Sequence, residues 1–185
     1  MRLLRLSPFA TQSEHEDFLG VDAALLEQKA RDAAKSPRLR EIHRLHQKDE
    51  ETLHRMLNAL QPGSYVRPHR HLDPPKAEAF ILLAGRLGFI QFEDDGTFTR
   101  ENCLLLDRER GALAVDAREG RWHAIVALAP DTTAFEVKPG PYSPASDKDF
   151  APFAPAENDP GAKAYLMGLE DRLREWFGLE KRPWG

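Results

Sequence analysis

The amino-acid sequence predicts a mainly β protein, an antiparallel sandwich or barrel with one helix before it and one after it. Between about residues 39 and 138, short apolar runs alternate with turn residues at intervals of roughly 8–12 residues, which is typical of antiparallel sheets. The segments on either side instead repeat their apolar residues at helical spacing. A chain of 185 residues is long enough to bury a substantial core in one domain.

The first predicted element is a helix over about residues 22–35. Asp22 is suited to cap its N-terminus, because a short carboxylate side chain accepts hydrogen bonds from free backbone N–H groups. Ser36-Pro37 ends the helix, since proline disfavours helical backbone in the residue before it. Residues 1–38 are therefore predicted to form an N-terminal helical extension. The residues that define its periodicity are Leu25, Leu26, Lys29, Ala30 and Ala33.

The predicted barrel domain covers residues 39–157. The breaks QPG, LDPPK, EDDG, RERG, REG and APDTT contain the residues that turns favour. The segment DEETLHRMLNAL is ambiguous between a helical turn that leads into a strand and a longer helix. In FEVKPGPY, Phe135 and Val137 are expected to face the core, and Glu136 and Lys138 the solvent. The candidate strands are RMLNAL, SYVRPHRH, EAFILLAG, LGFIQFE, NCLLLD, ALAVDA, WHAIVAL and AFEVK.

The last predicted element is an amphipathic helix within residues 158–185. A proline-dense segment precedes it and is expected to run along the barrel as extended chain. Asp159-Pro160 has the form of a helix start, and Gly178 is a natural stop. The apolar residues that recur on one face are Tyr165, Leu166, Leu169, Leu173, Trp176 and Phe177.

Composition and charge exclude several classes of function. A net charge of −4 and a pI near 6.0 give no basic surface for nucleic acid. No apolar run approaches the ~20 residues of a membrane span. The single cysteine, Cys103, excludes an internal disulfide, and its apolar setting favours a buried thiol over a nucleophile. We therefore expect a cytoplasmic protein.

Three histidines and one glutamate form a candidate metal site. On a strand, His69 and His71 point to the same face and can bind a single ion. The turn LDPPK then reverses the chain, so that Glu78 lies beside them, and His123 enters a later strand after GRW. A mixed nitrogen and oxygen set suits Fe, Mn, Ni, Co or Zn. Four protein ligands leave one or two positions for water or substrate, which is typical of a catalytic site. Each residue by itself is better explained by a structural role.

These residues have the spacing of a known motif. The pattern Gly63, His69-x-His71, Glu78, Gly85 closely resembles the first cupin motif, and Gly120-x-x-His123 resembles the core of the second. The resemblance implies the cupin-type antiparallel jelly-roll barrel. The gap between His71 and Glu78 is longer than usual, and Arg118 and Ala127 replace a proline and an asparagine of the second motif. Neither replaced position is a ligand in the family.

From about residue 30 to residue 157, the chain is similar to WbuC-type cupin metalloproteins. Members of that family occur among genes for O-antigen and other surface polysaccharides. The resemblance implies that His69, His71, Glu78 and His123 are the ligands of a divalent transition metal, and cupins in general suggest a homodimer. It implies no particular reaction. The matching blocks are SPRLR, RMLNALQPGSYVRPHRH, KAEAFILLAGRLGFIQF, GRWHAIVAL, FEVKPGPY and APFAPAE.

Other side chains are candidates for the pocket. Tyr65 and Arg67 share the ligand face and are the predicted catalytic residues: Arg67 as a partner for a carboxylate or phosphate, Tyr65 as a hydrogen-bond donor. The alternatives are a rim arginine paired with an acid and a core tyrosine. Trp122 should pack outside the barrel, opposite His123. Arg38, Arg40, His43 and His46 either close one end of the pocket or form a solvated basic strand; His15 and His54 are expected at the surface.

The sequence is consistent with three functions. The first is a metal-dependent enzyme on a small polar, saccharide-like metabolite, either an isomerase or epimerase or a dioxygenase, with isomerisation favoured. The second is a non-catalytic module that uses the metal to bind or sense a small molecule. The third is an interaction protein whose C-terminal helix contacts a partner.

Overall fold

A computed structural model describes residues 2–143 and 147–183. In this part of the chain, strands predominate and two helices flank them. The elements in chain order are β1 (Arg2–Ser7), β2 (Ala10–Glu14), α1 (Ala23–Lys35), β3 (Arg40–Arg44), β4 (Leu53–Leu60), β5 (His69–Arg70), β6 (Glu78–Ala84), β7 (Arg86–Phe92), β8 (Cys103–Asp107), β9 (Ala114–Ala117), β10 (Trp122–Ala127), β11 (Thr132–Pro139), β12 (Asp149–Phe150) and α2 (Ala162–Trp176).

The strands form two sheets that face each other. The larger sheet has the order β1-β2-β3-β4-β11-β6-β9, and the smaller has the order β12-β5-β10-β7-β8. Neighbouring strands are antiparallel except for β2 and β3. Phe80 and Ala134 of the larger sheet share one apolar cluster with Phe89 and Ile125 of the smaller, so the inner faces close on a common interior. This is the predicted antiparallel jelly-roll barrel, and the prediction of a mainly β fold with two helices is confirmed.

Most predicted strands are present, with three differences. The ambiguous segment before Leu60 is the strand β4. Of the predicted strand SYVRPHRH, only His69–Arg70 is strand, because Pro68 has no N–H group to donate to a ladder. The strands β1, β2 and β12 were not predicted; β1 and β2 form a hairpin within the segment assigned to the helical extension. The division into 1–38, 39–157 and 158–185 stays a prediction.

Both predicted helices are present and cover the outer faces of the sheets. The Asp22 carboxylate accepts the N–H of Leu25 at 2.9 Å and caps α1, as predicted. The helix α2 begins at Ala162, after the predicted Asp159-Pro160, and its leucines join an apolar cluster with Trp122 on the outside of the smaller sheet. The prediction that Trp122 packs outside the barrel is therefore confirmed. Among the described residues, no helix is both long enough and apolar enough to cross a membrane.

The prediction for the faces of β11 is wrong. Glu136 and Lys138 are 7% and 5% exposed and face the barrel interior, whereas Phe135 and Val137 are half-buried on the other face. Alternation by itself cannot decide which face of β11 is inside, because α1 covers part of the outer face and both faces are therefore partly buried. The interior at this end of the barrel is polar, since the register places Lys138 beside Glu78.

The predicted surface position of His54 is also wrong. Its side chain is buried, and its ring stacks on that of His46 with 4.0 Å between the centroids. Burial lowers the pKa of both imidazoles, that of His46 to about 4, so the stacked pair is neutral at neutral pH.

Candidate metal centre

The four predicted ligands converge at one end of the barrel. His69 lies on β5 directly opposite His123 on β10, His71 follows two residues later on the same side, and Glu78 is the first residue of β6. One donor atom from each residue can be chosen so that all four lie within 4.8 Å of one another, and all four side chains are buried. Residues separated by 54 positions in the sequence therefore form one cluster that could hold a metal ion.

Backbone carbonyl groups fix the orientation of the three imidazoles. The Nδ1 atoms of His69 and His123 each face the carbonyl oxygen two residues earlier, at 3.0 Å in both cases. The Nδ1 atom of His71 faces the carbonyl oxygen of Asp147. Because a carbonyl oxygen can only accept, each Nδ1 carries a proton, and each Nε2 has a lone pair in the neutral form of the imidazole. Histidines that bind metals are commonly oriented in this way.

The free lone pairs are directed at a carboxylate. Glu78 Oε1 lies 2.7 Å from His71 Nε2, and Glu78 Oε2 lies 3.0 Å from His123 Nε2. Three of these atoms, His71 Nε2, His123 Nε2 and Glu78 Oε2, are buried and have no hydrogen-bond partner. Acceptors held this close without water repel one another, and buried unpaired polar atoms are costly. A cation between them removes both penalties, so the residues fit a metal ion.

The charge states agree with this arrangement. Burial lowers the pKa of His69 well below its usual value of 6.5, so this imidazole is neutral. Burial by itself would raise the pKa of Glu78, but donation from His123 and His71 when their Nε2 atoms carry a proton, and the charge of Lys138, hold that pKa well below its usual range. The cluster thus presents a neutral nitrogen and a charged oxygen, which suits a divalent transition metal.

A buried charge network supports two of the candidate ligands. The Asp147 carboxylate bridges two ammonium groups, Lys138 at 2.9 Å and Lys76 at 3.1 Å. Lys138 Nζ in turn lies 3.6 Å from Glu78 Oε1. Burial opposes charge on both partners, yet Lys138 lowers the pKa of Asp147, and the surrounding carboxylates raise the pKa of Lys138. Asp147 therefore contacts His71 through its carbonyl group and Glu78 through Lys138. No sequence pattern indicated this network, because no motif spacing links Lys76, Lys138 and Asp147.

A cavity of about 230 Å³ opens onto the cluster. Its walls include the candidate ligands His69, Glu78 and His123, and next to them Glu136. The Glu136 carboxyl accepts from the Asn58 amide and lies 3.7 Å from Lys138 Nζ. Burial, and then the charge of Glu78, raise the pKa of Glu136. A second cavity of about 360 Å³ shares Glu136 in its wall and extends to His46 and His54.

The two predicted catalytic residues have different surroundings. Arg67 lines the cavity, and its Nη2 donates to the carbonyl oxygen of Ala151 at 2.9 Å. The Tyr65 hydroxyl donates to the carbonyl oxygen of Pro155 at 2.8 Å, and its ring belongs to the apolar cluster beneath α2. Tyr65 lines a wider cleft beside α2. A catalytic role for Tyr65 stays a prediction.

The four basic residues before β4 separate into two groups. Arg38 and Arg40 line the cavity and share the carboxylate of Glu157. Burial lowers the pKa of Arg40 to about 10, so its guanidinium stays charged at neutral pH. His43 is buried on the opposite face of β3, and His46 stacks on His54. Strand alternation explains the separation, since Arg40 and His43 occupy opposite faces.

Sequence comparison finds a match to one family model over part of the chain. Residues 21–104 match the family described as "Domain of unknown function (DUF6016)". The matched range includes His69, His71 and Glu78 and ends before His123. No curated protein is significantly similar to the chain.

Structural comparison finds cupin and double-stranded β-helix proteins. KdgF from Halomonas sp. is 16% identical, with a TM-score of 0.42, over 57% of this chain and 82% of that chain. The L-ribose isomerase of Cellulomonas parahominis, in a structure with L-psicose, is 15% identical, with a TM-score of 0.47, over 67% and 72%. A protein with a double-stranded β-helix domain from Klebsiella pneumoniae is 16% identical, with a TM-score of 0.43, over 60% and 79%.

Proposed function

We propose that this chain is a metal-dependent enzyme that acts on a small, polar, saccharide-like metabolite, with His69, His71, Glu78 and His123 as the metal ligands. The observation that supports the proposal best is the set of buried acceptor atoms that face one another without a hydrogen-bond partner. The adjoining cavity supports catalysis, because it admits a small molecule to the same atoms.

The bound metal would supply a Lewis acid for a carbonyl or hydroxyl oxygen of the substrate. The residues of the chain would bind the substrate, exclude water and transfer the proton. Arg67 would hold a polar group of the substrate, and Phe80 and Ile125 would exclude water from the inner wall. Glu136 would take up or release a proton, since a carboxyl group with a raised pKa is suited to this role. An isomerase moves a proton between neighbouring carbons, and an epimerase removes a proton from a carbon and returns one to its opposite face; we favour these reactions over oxygenation.

The WbuC-like blocks of the sequence lead us to propose a narrower role. We place the enzyme in the biosynthesis of surface polysaccharide such as O-antigen, as a cytoplasmic homodimer. Light scattering after size exclusion would measure the subunit count, and a monomer at micromolar concentration would contradict the dimer.

The metal site is tested by elemental analysis of protein purified without added metal. We expect close to one transition-metal ion per chain in the wild type and at least about tenfold less in His71→Ala and Glu78→Ala. His15→Ala is the matched control, because it removes an imidazole outside the cluster. Equal trace metal in all four proteins would show that the cluster holds no metal.

Catalysis is tested with the metal-loaded protein in D₂O and a panel of aldoses, ketoses and sugar acids. An isomerase or epimerase incorporates deuterium at the carbon next to the carbonyl group, which proton NMR detects. Glu136→Gln should abolish this exchange and keep the metal. A protein that holds metal with all its positions filled by side chains, and that exchanges no water, would instead be a metal-anchored binding module.

A further inference from the structure

The cavity has two ends of different charge. Its inner end contains the buried carboxylates Glu78 and Glu136, with Lys138 behind them. Four cationic residues also line the cavity. Arg38, Arg40 and Arg67 are half-buried and lie nearer the opening than the buried carboxylates, whereas the Lys148 ammonium is close enough to Glu136 and Glu78 to interact with their charges. The cationic rim consists of Arg38, Arg40, Arg67 and Lys148.

The rim is not neutralised by its own carboxylates. Arg38 and Arg40 share one acid, Glu157, at 2.8 Å and 2.5 Å. Neither Arg67 nor Lys148 forms an ion pair with any residue that the structure describes. Four cations share one paired acid, and burial lowers the pKa of Lys148, so the rim has an excess of about two to three positive charges at neutral pH in a protein whose net charge is −4. A local charge opposite to that of the whole molecule is typical of a site that attracts an oppositely charged ligand.

The guanidinium of Arg67 is held in place by two contacts, but not all of its N–H groups have a hydrogen-bond acceptor. Its Nη2 donates to the Ala151 carbonyl oxygen, and its plane lies over the Phe150 ring, 5.2 Å from the centroid. Its Nε is buried and has no hydrogen-bond partner. A buried N–H group without a partner is costly, and guanidinium groups bind carboxylates and phosphates through paired N–H donors. Arg67 is thus a fixed hydrogen-bond donor that can still donate to an oxyanion.

We propose that the cationic rim is an oxyanion site and that the substrate is an acidic metabolite, a sugar acid or sugar phosphate, in preference to a neutral sugar. This inference rests on the proposed function. The carboxylate or phosphate group would contact Arg67 and Lys148, and the hydroxyl or carbonyl oxygens would reach the inner end. The volume of 230 Å³ lies below the ~300–1,000 Å³ of sites for drug-sized ligands, so a compound of metabolite size fits.

The test measures binding of three probes by isothermal titration calorimetry: D-glucuronate, inorganic phosphate and neutral D-glucose. Metal-free and Zn²⁺-loaded protein are titrated separately, because an anion also binds directly to a metal ion. We expect D-glucuronate or phosphate to bind at least about tenfold more tightly than D-glucose in both states. Affinity for the anion should fall when ionic strength rises, since the rim is partly exposed. The two anions distinguish a carboxylate site from a phosphate site.

Variants of the rim then locate the binding. Arg67→Gln and Lys148→Gln should each weaken anion binding about tenfold and leave the metal content unchanged. Arg31→Gln is the matched control, because it removes one positive charge from the exposed face of α1. Lys148→Gln keeps the test valid if Arg67→Gln fails to fold, since no residue in the described part of the chain forms a hydrogen bond or an ion pair with the Lys148 side chain.

Three results would overturn the oxyanion site: glucose binds as tightly as the anions, the two rim variants bind like the wild type, or the wild type binds no anion up to on the order of 10 mM. Any of these with normal metal content leaves the metal centre intact. Conversely, anion binding by a protein that takes up no metal would contradict the proposed function and retain the rim as an anion site.

Discussion

The structure buries two polar clusters of similar composition, and only one of them resembles a functional site. The first lies between α1 and the outer face of the larger sheet and contains Lys29, Glu41 and His43. The second is the candidate metal centre inside the barrel. Each combines histidine, a carboxylate and a neighbouring lysine, and each is almost inaccessible to solvent. Residue type and burial therefore do not distinguish them.

The clusters differ in whether their polar atoms have partners. Both ring nitrogens of His43 face hydroxyl groups, Thr11 Oγ1 at 2.9 Å and Ser13 Oγ at 2.8 Å. Lys29 Nζ donates to Thr11 at 3.1 Å and lies 3.2 Å from Glu41 Oε1. In the metal centre, the corresponding atoms face other acceptors. A buried cluster whose hydrogen bonds are complete stabilises the fold, whereas one that lacks a cation is a candidate binding site.

The largest expected effect concerns the first cluster. Lys29→Met leaves the buried Glu41 without its closest fully buried cation, and we expect the free energy of unfolding to fall by about 3 kcal/mol. Urea denaturation measures this change, with Arg31→Met on the exposed face of the same helix as the control. Metal content per folded chain should stay that of the wild type. A loss of metal in Lys29→Met would contradict the separation of the two clusters.

The second effect concerns stabilisation by the metal. A ligand that binds only the folded state at about 100 times its dissociation constant adds about 2.7 kcal/mol to the free energy of unfolding. We expect this gain in the wild type and in His43→Gln, and none in Glu78→Ala. Thermal unfolding with and without added Zn²⁺ measures it. Equal gains in all three proteins would mean that the metal binds elsewhere.

The third effect tests the network behind the metal centre. Asp147→Asn keeps the carbonyl group that orients His71 but removes the charge that holds Lys138, and we expect metal affinity to fall about 10- to 100-fold. Asp149→Asn is the matched control, because this residue is exposed and pairs with Arg70. Competition with a chelator measures the affinity, and the absorption spectrum of bound Co²⁺ reports the ligand geometry. An unchanged spectrum and an unchanged affinity would show that the Asp147 carboxylate contributes to folding but not to metal binding.

The main strands and the convergence of the four candidate ligands were predictable, because the strands follow from local apolar runs and the candidates from motif spacing. The expected hairpin is absent, because LDPPK connects two sheets: His69 lies on β5 of the smaller sheet and Glu78 begins β6 of the larger. His123 joins them through its pairing opposite His69. The charged face of β11 was not predictable. Glu136 faces the interior only because the other strands of the barrel lie on that side of β11, and the sequence of β11 does not determine that side. Likewise, Asp147 acts through its backbone as well as its side chain, and no residue pattern encodes a carbonyl contact.

The smallest expected effect is the part of the pH dependence of stability that comes from His43 in the first cluster. Burial, and secondarily the Lys29 charge, lower the pKa of His43 to about 4 in the folded protein, from 6.5 in the unfolded chain. As pH falls below 6.5, His43 binds a proton in the unfolded chain but not in the folded protein. The free energy of unfolding therefore declines between pH 6.5 and pH 4. At pH 5.5 the loss relative to pH 8 amounts to about 1.4 kcal/mol from this residue. Urea denaturation of metal-free wild type and His43→Gln at the two pH values isolates it. We expect the difference between the two proteins to shrink at pH 5.5 by that amount, since glutamine does not titrate; an identical pH dependence in both would show that His43 accepts its proton while folded.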